Sequence, residues 1–140
     1  MIYLCFDYGE KRIGCAVGDD LTGGARVLPT IDGGDWGAVE KLIGQWRPQA
    51  LIVGLPLNDD GSEQPASSAA RRFARQLEGR LKLVVHLCDE RYSSLAADDV
   101  LRDARSSGRL GRRVRKGDRD AQAARIILQQ WLSDQKPAAG

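Results

Sequence analysis

The segment that decides the fold is 2–18, IYLCFDYGEKRIGCAVG, in which two apolar runs flank a short polar turn. The first run ends in a carboxylate, Asp7, and the second begins after Gly9 and the basic pair Lys11 and Arg12. Two such runs around a tight turn predict a β-hairpin with Asp7 at the inner end of its first strand. Because desolvating an unpaired carboxylate is costly, we expect Asp7 to face a metal ion, a lysine or arginine, or a phosphate held through a metal.

The remaining pattern predicts a sheet of five strands. A third strand over 25–31 completes an antiparallel meander with the first two runs. The unbroken apolar run Ala50–Leu55 is typical of a central strand covered on both faces, and 81–88 is predicted as another strand. Helices are predicted from Trp36 after an Asp35 cap, from Pro65, from Ser93 or Ser94, and over 119–132 with Asp118 as N-cap. This order predicts an α/β fold: a five-stranded mixed sheet, three antiparallel strands and then two parallel ones, flanked by helices.

Length and composition narrow the class of protein. The 140 residues predict one domain over 1–135 and a frayed tail over 136–140. Three cysteines without CxxC spacing indicate reduced thiols, and the absence of a signal peptide or a membrane-length apolar run makes the cytoplasm the expected location. The net charge is only +2, yet 102–119 holds eight basic residues against two acidic ones, which favours a polyanionic partner.

Carboxylates near strand ends and a helix start are the candidate chemistry. Asp89 and Glu90 follow a predicted strand, and Asp120 lies on the apolar side of the last predicted helix. Each acid alone has an ordinary explanation, such as the helix dipole for Asp120 or a neighbouring arginine for the other two. Together with Asp7, they would need nearby cations to stay ionised. Oxygen ligands suit Mg²⁺ or Mn²⁺, and two such ions can promote phosphodiester cleavage.

Other residues leave structural and functional interpretations open. His86, the only histidine, is predicted to pack inside a strand, which disfavours mechanisms based on a histidine base or a zinc ion. In the loop after the central strand, Asn58 and Ser62 either form an ordinary turn or contact substrate phosphates through hydrogen bonds. The basic segment 109–116 is either a solvated loop or, because it precedes the helix that carries Asp120, a phosphate-binding one.

Four blocks carry a resemblance to a known family: FDYGEKRIGCAVGD (6–19), IVGLPLNDDGSEQP (52–65), CDERYSSLAADDVL (88–101) and KGDRDAQAARIILQQWL (116–132). In this order they resemble the YqgF/RuvX family of pre-16S rRNA nucleases, which is also described as Holliday-junction-resolvase-like. The resemblance covers nearly the whole chain. It implies an RNase H-like fold, a divalent-metal site, and trimming of the 5′ end of the small-subunit ribosomal RNA precursor in the bacterial cytoplasm.

Matching positions assign roles to individual residues. The resemblance implies Asp7, Glu90 and Asp120 as the catalytic and metal-ligating acids. The expected nucleic-acid contacts are Lys11, Arg12, Asn58, Ser62, Arg91, Arg112, Arg113, Arg115 and Lys116. The sequence departs from the family pattern at Tyr8, Glu10 and Gly18, and the extra negative charge of Glu10 would weaken the approach of a phosphate.

The leading hypothesis is a nuclease that depends on Mg²⁺ or Mn²⁺ and acts on structured RNA, pre-16S rRNA, free or in ribosomal particles. A Holliday junction resolvase that acts on branched DNA is the nearest alternative, and the predicted site alone does not separate the two. The sequence indicates no dimer surface, so either a monomer or a homodimer is expected. Alternatives of other classes are an actin-like or kinase-like phosphotransferase, because Asp7, Gly9 and Gly14 resemble a phosphate hairpin, and a non-catalytic RNA-binding module of ribosome assembly.

Overall fold

The structure is a computed structural model that describes residues 1–58, 60–89 and 116–135, with only the backbone described for 116–121 and 135. The described residues form five strands and three helices: β1 Ile2–Asp7, β2 Arg12–Asp19, β3 Gly24–Asp32, α1 Trp36–Trp46, β4 Ala50–Leu55, α2 Pro65–Leu81, β5 Val85–Asp89 and α3 Lys116–Gln135. The helix predicted from Ser93 or Ser94, the basic residues of 106–115 and the tail 136–140 lie outside the described residues.

The strands form one mixed sheet in the order β3-β2-β1-β4-β5. β1 pairs antiparallel with β2, and β2 pairs antiparallel with β3. On its other side, β1 pairs parallel with β4, which pairs parallel with β5. The predicted arrangement of three antiparallel and two parallel strands is therefore confirmed. Because β1, β4 and β5 run in the same direction, their carboxyl ends meet at one edge, the carboxyl edge.

One face of the sheet, the α1/α2 face, carries the larger core. Leu4 and Phe6 of β1 and Leu51 of β4 are fully buried there beneath the two helices. Phe73 of α2 packs edge-on against Phe6, with ring centroids 5.9 Å apart. Burying such large side chains supplies most of the hydrophobic stabilisation that a domain of this size needs.

Both helices on this face begin with defined caps. As predicted, Asp35 caps α1, and its carboxylate accepts a hydrogen bond from the Ala38 N–H at 3.0 Å. At the start of α2, the buried Ser67 hydroxyl accepts a hydrogen bond from the Gln64 N–H at 3.0 Å. These caps fix the points where α1 and α2 leave the carboxyl edge.

The opposite face, the α3 face, is lined by small side chains and covered by α3. Cys5 and Ala16 are fully buried against Leu128 and Leu132 of the helix. A Cβ atom on Gly18 would lie only 2.8 Å from Leu132 Cδ1 and 3.0 Å from Leu128 Cδ2. The close approach of α3 to the sheet at this point therefore depends on the missing side chain.

β3 contains a β-bulge at 29–30. Leu28 pairs with Cys15 and Ile31 pairs with Ile13, so three steps along β3 match two along β2. The extra residue returns Ile31 to the α1/α2 face, where it is buried. Pro29, which has no N–H to donate, is accommodated by this irregularity of the ladder.

Two boundaries differ from those predicted. The strand predicted over 81–88 is wrong in its first half, because α2 continues to Leu81 and Lys82 ends it in the left-handed conformation with φ 54°. α3 begins at Lys116, so Asp118 lies inside the helix and its prediction as N-cap is wrong. An acid is favoured in the first turn as well as at the cap, so the residue type did not distinguish the two positions.

The prediction that His86 is packed in the interior is also wrong. His86 is exposed on β5, although its ring centroid lies 5.3 Å from that of Trp131. β5 is the last strand of the described sheet, so its side chains are covered less than those of a central strand. None of the helices in the described segments is both long and apolar enough to span a bilayer.

Candidate active site

Asp7 is the last residue of β1 and lies at the carboxyl edge. Successive side chains of a strand alternate between the two faces of the sheet. Because Leu4 and Phe6 belong to the core on the α1/α2 face and Cys5 belongs to the core on the α3 face, Asp7 lies on the α3 face. The residue is half-buried, so its carboxylate is partly shielded from water.

Glycine flanks Asp7 on both neighbouring strands. Gly14 of β2 is its direct partner in the antiparallel pair. On β4, Gly54 directly follows Val53, the partner of Phe6, and so reaches the level of Asp7. Neither neighbour carries a side chain, so neither of them covers the carboxylate on the α3 face. Sequence reasoning gave Gly54 no role, although a glycine at the end of a buried strand was the available signal.

α3 runs antiparallel to β1 across this face. Its C-terminal half packs at the start of β1, where the ring centroids of Trp131 and Tyr3 are 4.9 Å apart. The helix spans roughly 16 Å between position 120 and Trp131. The strand spans roughly 13 Å between Tyr3 and Asp7. The length of α3 from Trp131 back to position 120 is thus similar to the length of β1 from Tyr3 to the carboxyl edge.

The side chain of Gln129 fixes α3 along this direction. Its amide nitrogen donates to the Gly23 carbonyl, and its amide oxygen accepts from the Ala25 N–H at 3.2 Å. The amide nitrogen and the amide oxygen are thus both hydrogen-bonded to the β2–β3 hairpin. Sliding of the helix along β1 would break both hydrogen bonds, so this clamp maintains the position of α3 along β1.

The turn between β1 and β2 contacts the linker before α1, backbone against backbone. The Gly33 N–H donates to the Lys11 carbonyl at 2.9 Å. A Cβ atom on Gly33 would overlap the Glu10 carbonyl oxygen, and one on Gly9 would lie 2.6 Å from the Arg12 carbonyl oxygen. Both positions therefore require glycine. The contact holds the exposed Lys11 and the half-buried Arg12 at the carboxyl edge.

The loop after β4 is closed by its own side chains. Asn58 Nδ2 donates to Ser62 Oγ at 3.0 Å, and Ser62 Oγ donates to Asp60 Oδ1 at 2.6 Å. The Asn58 N–H also donates to the Ser62 carbonyl at 2.8 Å. These bonds favour the turn interpretation of Asn58 and Ser62. Their contact with phosphate stays a prediction.

Asp19 is a second acid at a strand end, and its surroundings explain it without a ligand. It ends β2 at the edge opposite Asp7 and accepts a hydrogen bond from the Leu21 N–H at 2.8 Å. This bond, with a smaller contribution from the Met1 amino group 3.4 Å away, lowers the pKa of the Asp19 carboxyl. Asp19 therefore serves as an internal reference for a structural carboxylate.

The structure brings Asp7, Lys11 and Arg12 together at the carboxyl edge. Glu90, Arg91, Arg112, Arg113 and Arg115 lie outside the described residues, and only the helix backbone is described for Asp120 and Lys116. Asp89 ends β5 at the same edge, and alternation from Cys88 in the α3-side core places it on the α1/α2 face. Within the described side chains, no three His, Cys, Asp or Glu residues cluster as metal ligands. Of the three predicted ligands, only Asp7 is among those side chains.

Solved structures of resolvases share this fold. Thermus thermophilus RuvC in complex with a Holliday junction substrate is 16% identical, covers 96% of this chain and 94% of its own, and superposes with a TM-score of 0.57. The Fowlpox virus resolvase in complex with Holliday junction DNA is 15% identical, covers 96% and 98%, and superposes with a TM-score of 0.58. The mixed sheet and its flanking helices thus define an RNase H-like fold of the resolvase type.

Sequence relatives narrow this class to one family. A family profile described as "RuvX: Holliday junction resolvase" matches residues 1–134. A Legionella pneumophila protein named "Putative pre-16S rRNA nuclease" is 48% identical over 135 residues, which cover 94% of each chain. The chain belongs to the YqgF/RuvX family of nucleases. The resemblance carried by the four sequence blocks, the expected RNase H-like fold and the expected nuclease class are therefore confirmed.

Proposed function

We propose that this nuclease matures the 5′ end of pre-16S rRNA in the cytoplasm and requires Mg²⁺ or Mn²⁺. The observation that carries the proposal is the environment of Asp7. This acid is half-buried at the carboxyl edge and has glycine on both neighbouring strands. The name of the Legionella pneumophila relative supports RNA as the substrate.

The donors assigned to this edge suit a divalent metal ion. Asp7, Glu90 and Asp120 would hold it through carboxylate oxygens, the donor type that Mg²⁺ and Mn²⁺ prefer over the nitrogen and sulfur ligands of zinc. Gly14 and Gly54 add no side chain next to Asp7 that would block such an ion. When bound, ions of this kind supply an activated water and stabilise the leaving oxygen.

The chain's own residues position and bind the RNA. The hydrogen bond between Gly33 and Lys11 keeps the basic turn next to Asp7, and we assign phosphate contacts to Lys11 and Arg12 in this turn. We assign the same role to the basic residues that follow Glu90 or precede Asp120 in the sequence: Arg91, Arg112, Arg113, Arg115 and Lys116. Structured RNA, free or in ribosomal particles, is the proposed partner of a monomer or homodimer.

The experiment compares Asp7→Asn with Asp19→Asn on a 16S rRNA precursor that carries its 5′ extension. Each protein is incubated with Mg²⁺, with Mn²⁺, or with EDTA. We expect Asp7→Asn to lose more than about 100-fold in rate, because even partners of metal ligands cost 10–100-fold when removed. Asp19→Asn should cleave as the wild type does, because its carboxylate is occupied at the opposite edge. Circular dichroism verifies that both variants are folded.

The description of the matching family profile favours a second candidate, cleavage of a four-way DNA junction. The same incubations therefore include such a junction beside the precursor RNA. Cleavage of DNA alone would replace the RNA proposal with the resolvase one. Wild-type rates for Asp7→Asn, or cleavage that persists in EDTA, would overturn the assigned site. Binding of RNA without any cleavage would favour the non-catalytic module.

A further inference from the structure

The exposed side of α2 is a second basic surface, remote in sequence from 102–119. Three arginines and a glutamine on this side are exposed, and they define the α2 basic surface: Arg72, Arg75, Gln76 and Arg80. Arg72, Gln76 and Arg80 follow one another at intervals of four residues, so they form a single stripe along the helix. Across 72–80, the only acidic residue is Glu78.

The charges of this surface are not neutralised by the described residues around them. Arg71, on the flank of α2, forms an ion pair with Glu63. Within 1–58, 60–89 and the described side chains of α3, no carboxylate pairs with Arg72, Arg75 or Arg80. An arginine that only stabilised the helix surface would gain from an acid one turn away. Arg72 and Arg80 have no acid three or four residues away, and Arg75 forms no ion pair with Glu78, which lies three residues on, so the surface suits an external anion.

Arg80 is held in place by an aromatic ring. Its guanidinium carbon lies 4.3 Å from the ring centroid of Trp36, at the start of α1. A guanidinium stacked on an aromatic face is preorganised, while the N–H groups at its edge stay able to donate to a phosphate. Arg80 therefore loses less conformational entropy when a ligand binds than a freely moving arginine would.

A continuous row of rings connects this arginine to the carboxyl edge. Trp36 packs on Phe73 with centroids 5.5 Å apart, and Phe73 packs on Tyr8 with centroids 4.8 Å apart. Tyr8 directly follows Asp7 in the chain. The α2 basic surface is thus connected by ring contacts to Tyr8, the neighbour of Asp7 at the carboxyl edge.

We propose that the α2 basic surface binds the sugar–phosphate backbone of the substrate where it continues beyond the carboxyl edge. This inference rests on the proposed function, because it takes nucleic acid as the substrate. The stripe from Arg72 to Arg80 spans roughly 12 Å, which matches the axial rise of three to four nucleotides of a strand. The contacts are to phosphates, so they add affinity and orient the substrate without reading its sequence.

The test measures RNA binding in EDTA, where no cleavage interferes, as a function of salt concentration. The variant carries Arg72→Gln, Arg75→Gln and Arg80→Gln together, and the probe is the fluorescently labelled 5′-extended precursor segment. We expect the slope of log K against log salt to fall by about 2 to 3, because three phosphate contacts are lost.

The matched control is Arg26→Gln. Arg26 is also an exposed arginine that lies over a tryptophan, 5.1 Å from the ring centroid of Trp46, but Trp46 ends α1 instead of starting it. The Arg26→Gln variant should leave the slope of log K against log salt unchanged. An unchanged slope in the triple variant, or an equal reduction in Arg26→Gln, would overturn the α2 proposal. Because this readout needs no cleavage, its failure is distinguishable from failure of the Asp7 test.

Discussion

The two faces of the sheet are built from side chains of different size, and the difference separates stability from chemistry. The α1/α2 face buries large residues such as Leu4 and Phe6 against two helices. The α3 face presents the small residues Cys5, Ala16 and Gly18 beside Ile52 and Tyr3, and α3 approaches the sheet closely at Gly18. The buried large side chains contribute most of the hydrophobic stabilisation between the sheet and its two helices. The small ones let α3, the helix that carries Asp120, approach closely.

The largest effects are expected when one buried leucine is removed from each face, which tests whether the two faces contribute differently to stability and activity. Leu4→Ala and Leu128→Ala each delete a fully buried leucine, so each should cost about 2–5 kcal/mol in free energy of unfolding. Only Leu128→Ala should also slow cleavage by the folded protein, because it loosens the helix that carries Asp120. Urea unfolding and cleavage assays under folding conditions measure the two quantities. Equal losses of activity in both variants would contradict the division between faces.

A smaller loss of stability is expected when a side chain is added at Gly18, where α3 lies close to the sheet. The Cβ atom of Gly18→Ala would lie 2.8 Å from Leu132 Cδ1 and 3.0 Å from the Gly24 carbonyl oxygen, so we expect a loss of about 1–3 kcal/mol from overpacking. The control is Gly44→Ala in α1, where no atom lies within 4 Å of the added carbon. It should stabilise the protein by up to about 1 kcal/mol through helix propensity. A neutral Gly18→Ala would show that α3 is not tightly seated.

The smallest expected difference concerns how readily each face opens. Cys5 reports on the α3 face and Cys15 on the α1/α2 face, and both thiols are buried. Burial raises the pKa of Cys15 to about 12, so this thiol is protonated at neutral pH and is labelled only when the core opens. In a Cys88→Ser background, we expect Cys5 to be labelled about tenfold faster, which corresponds to about 1.4 kcal/mol in opening free energy. Faster labelling of Cys15 would reverse the proposed order of stability.

Most strands and helices could be predicted because local pattern and tertiary environment agree in them. β1, β4 and the Asp35-capped α1 follow from apolar runs, a helical period and a capping side chain. The start of β5 could not be predicted, because Lys82 adopts a left-handed conformation that usually signals glycine. The bulge in β3 was equally hidden, because it appears only when the pairing with β2 is known.

The site was predictable in part. Asp7 was identifiable because a charge at the end of a buried strand needs a reason, but its glycine neighbours became visible only through the register of three strands. The α2 basic surface was missed because its arginines are dispersed along the helix and do not form a run. The four-residue interval from Arg72 to Arg80 was the available signal.

The bulge at 29–30 couples the length of β3 to the geometry of the opposite end of the hairpin. Deletion of one residue there would regularise the ladder and keep Ile31 opposite Ile13 in the core, whereas insertion of one further residue would turn Ile31 to solvent. The insertion would also move Gly33 one step away from the Lys11 carbonyl that it contacts. A lengthening that looks harmless on an outer strand would in this way alter the basic turn beside Asp7, so an insertion in β3 would act at a distance on the candidate active site.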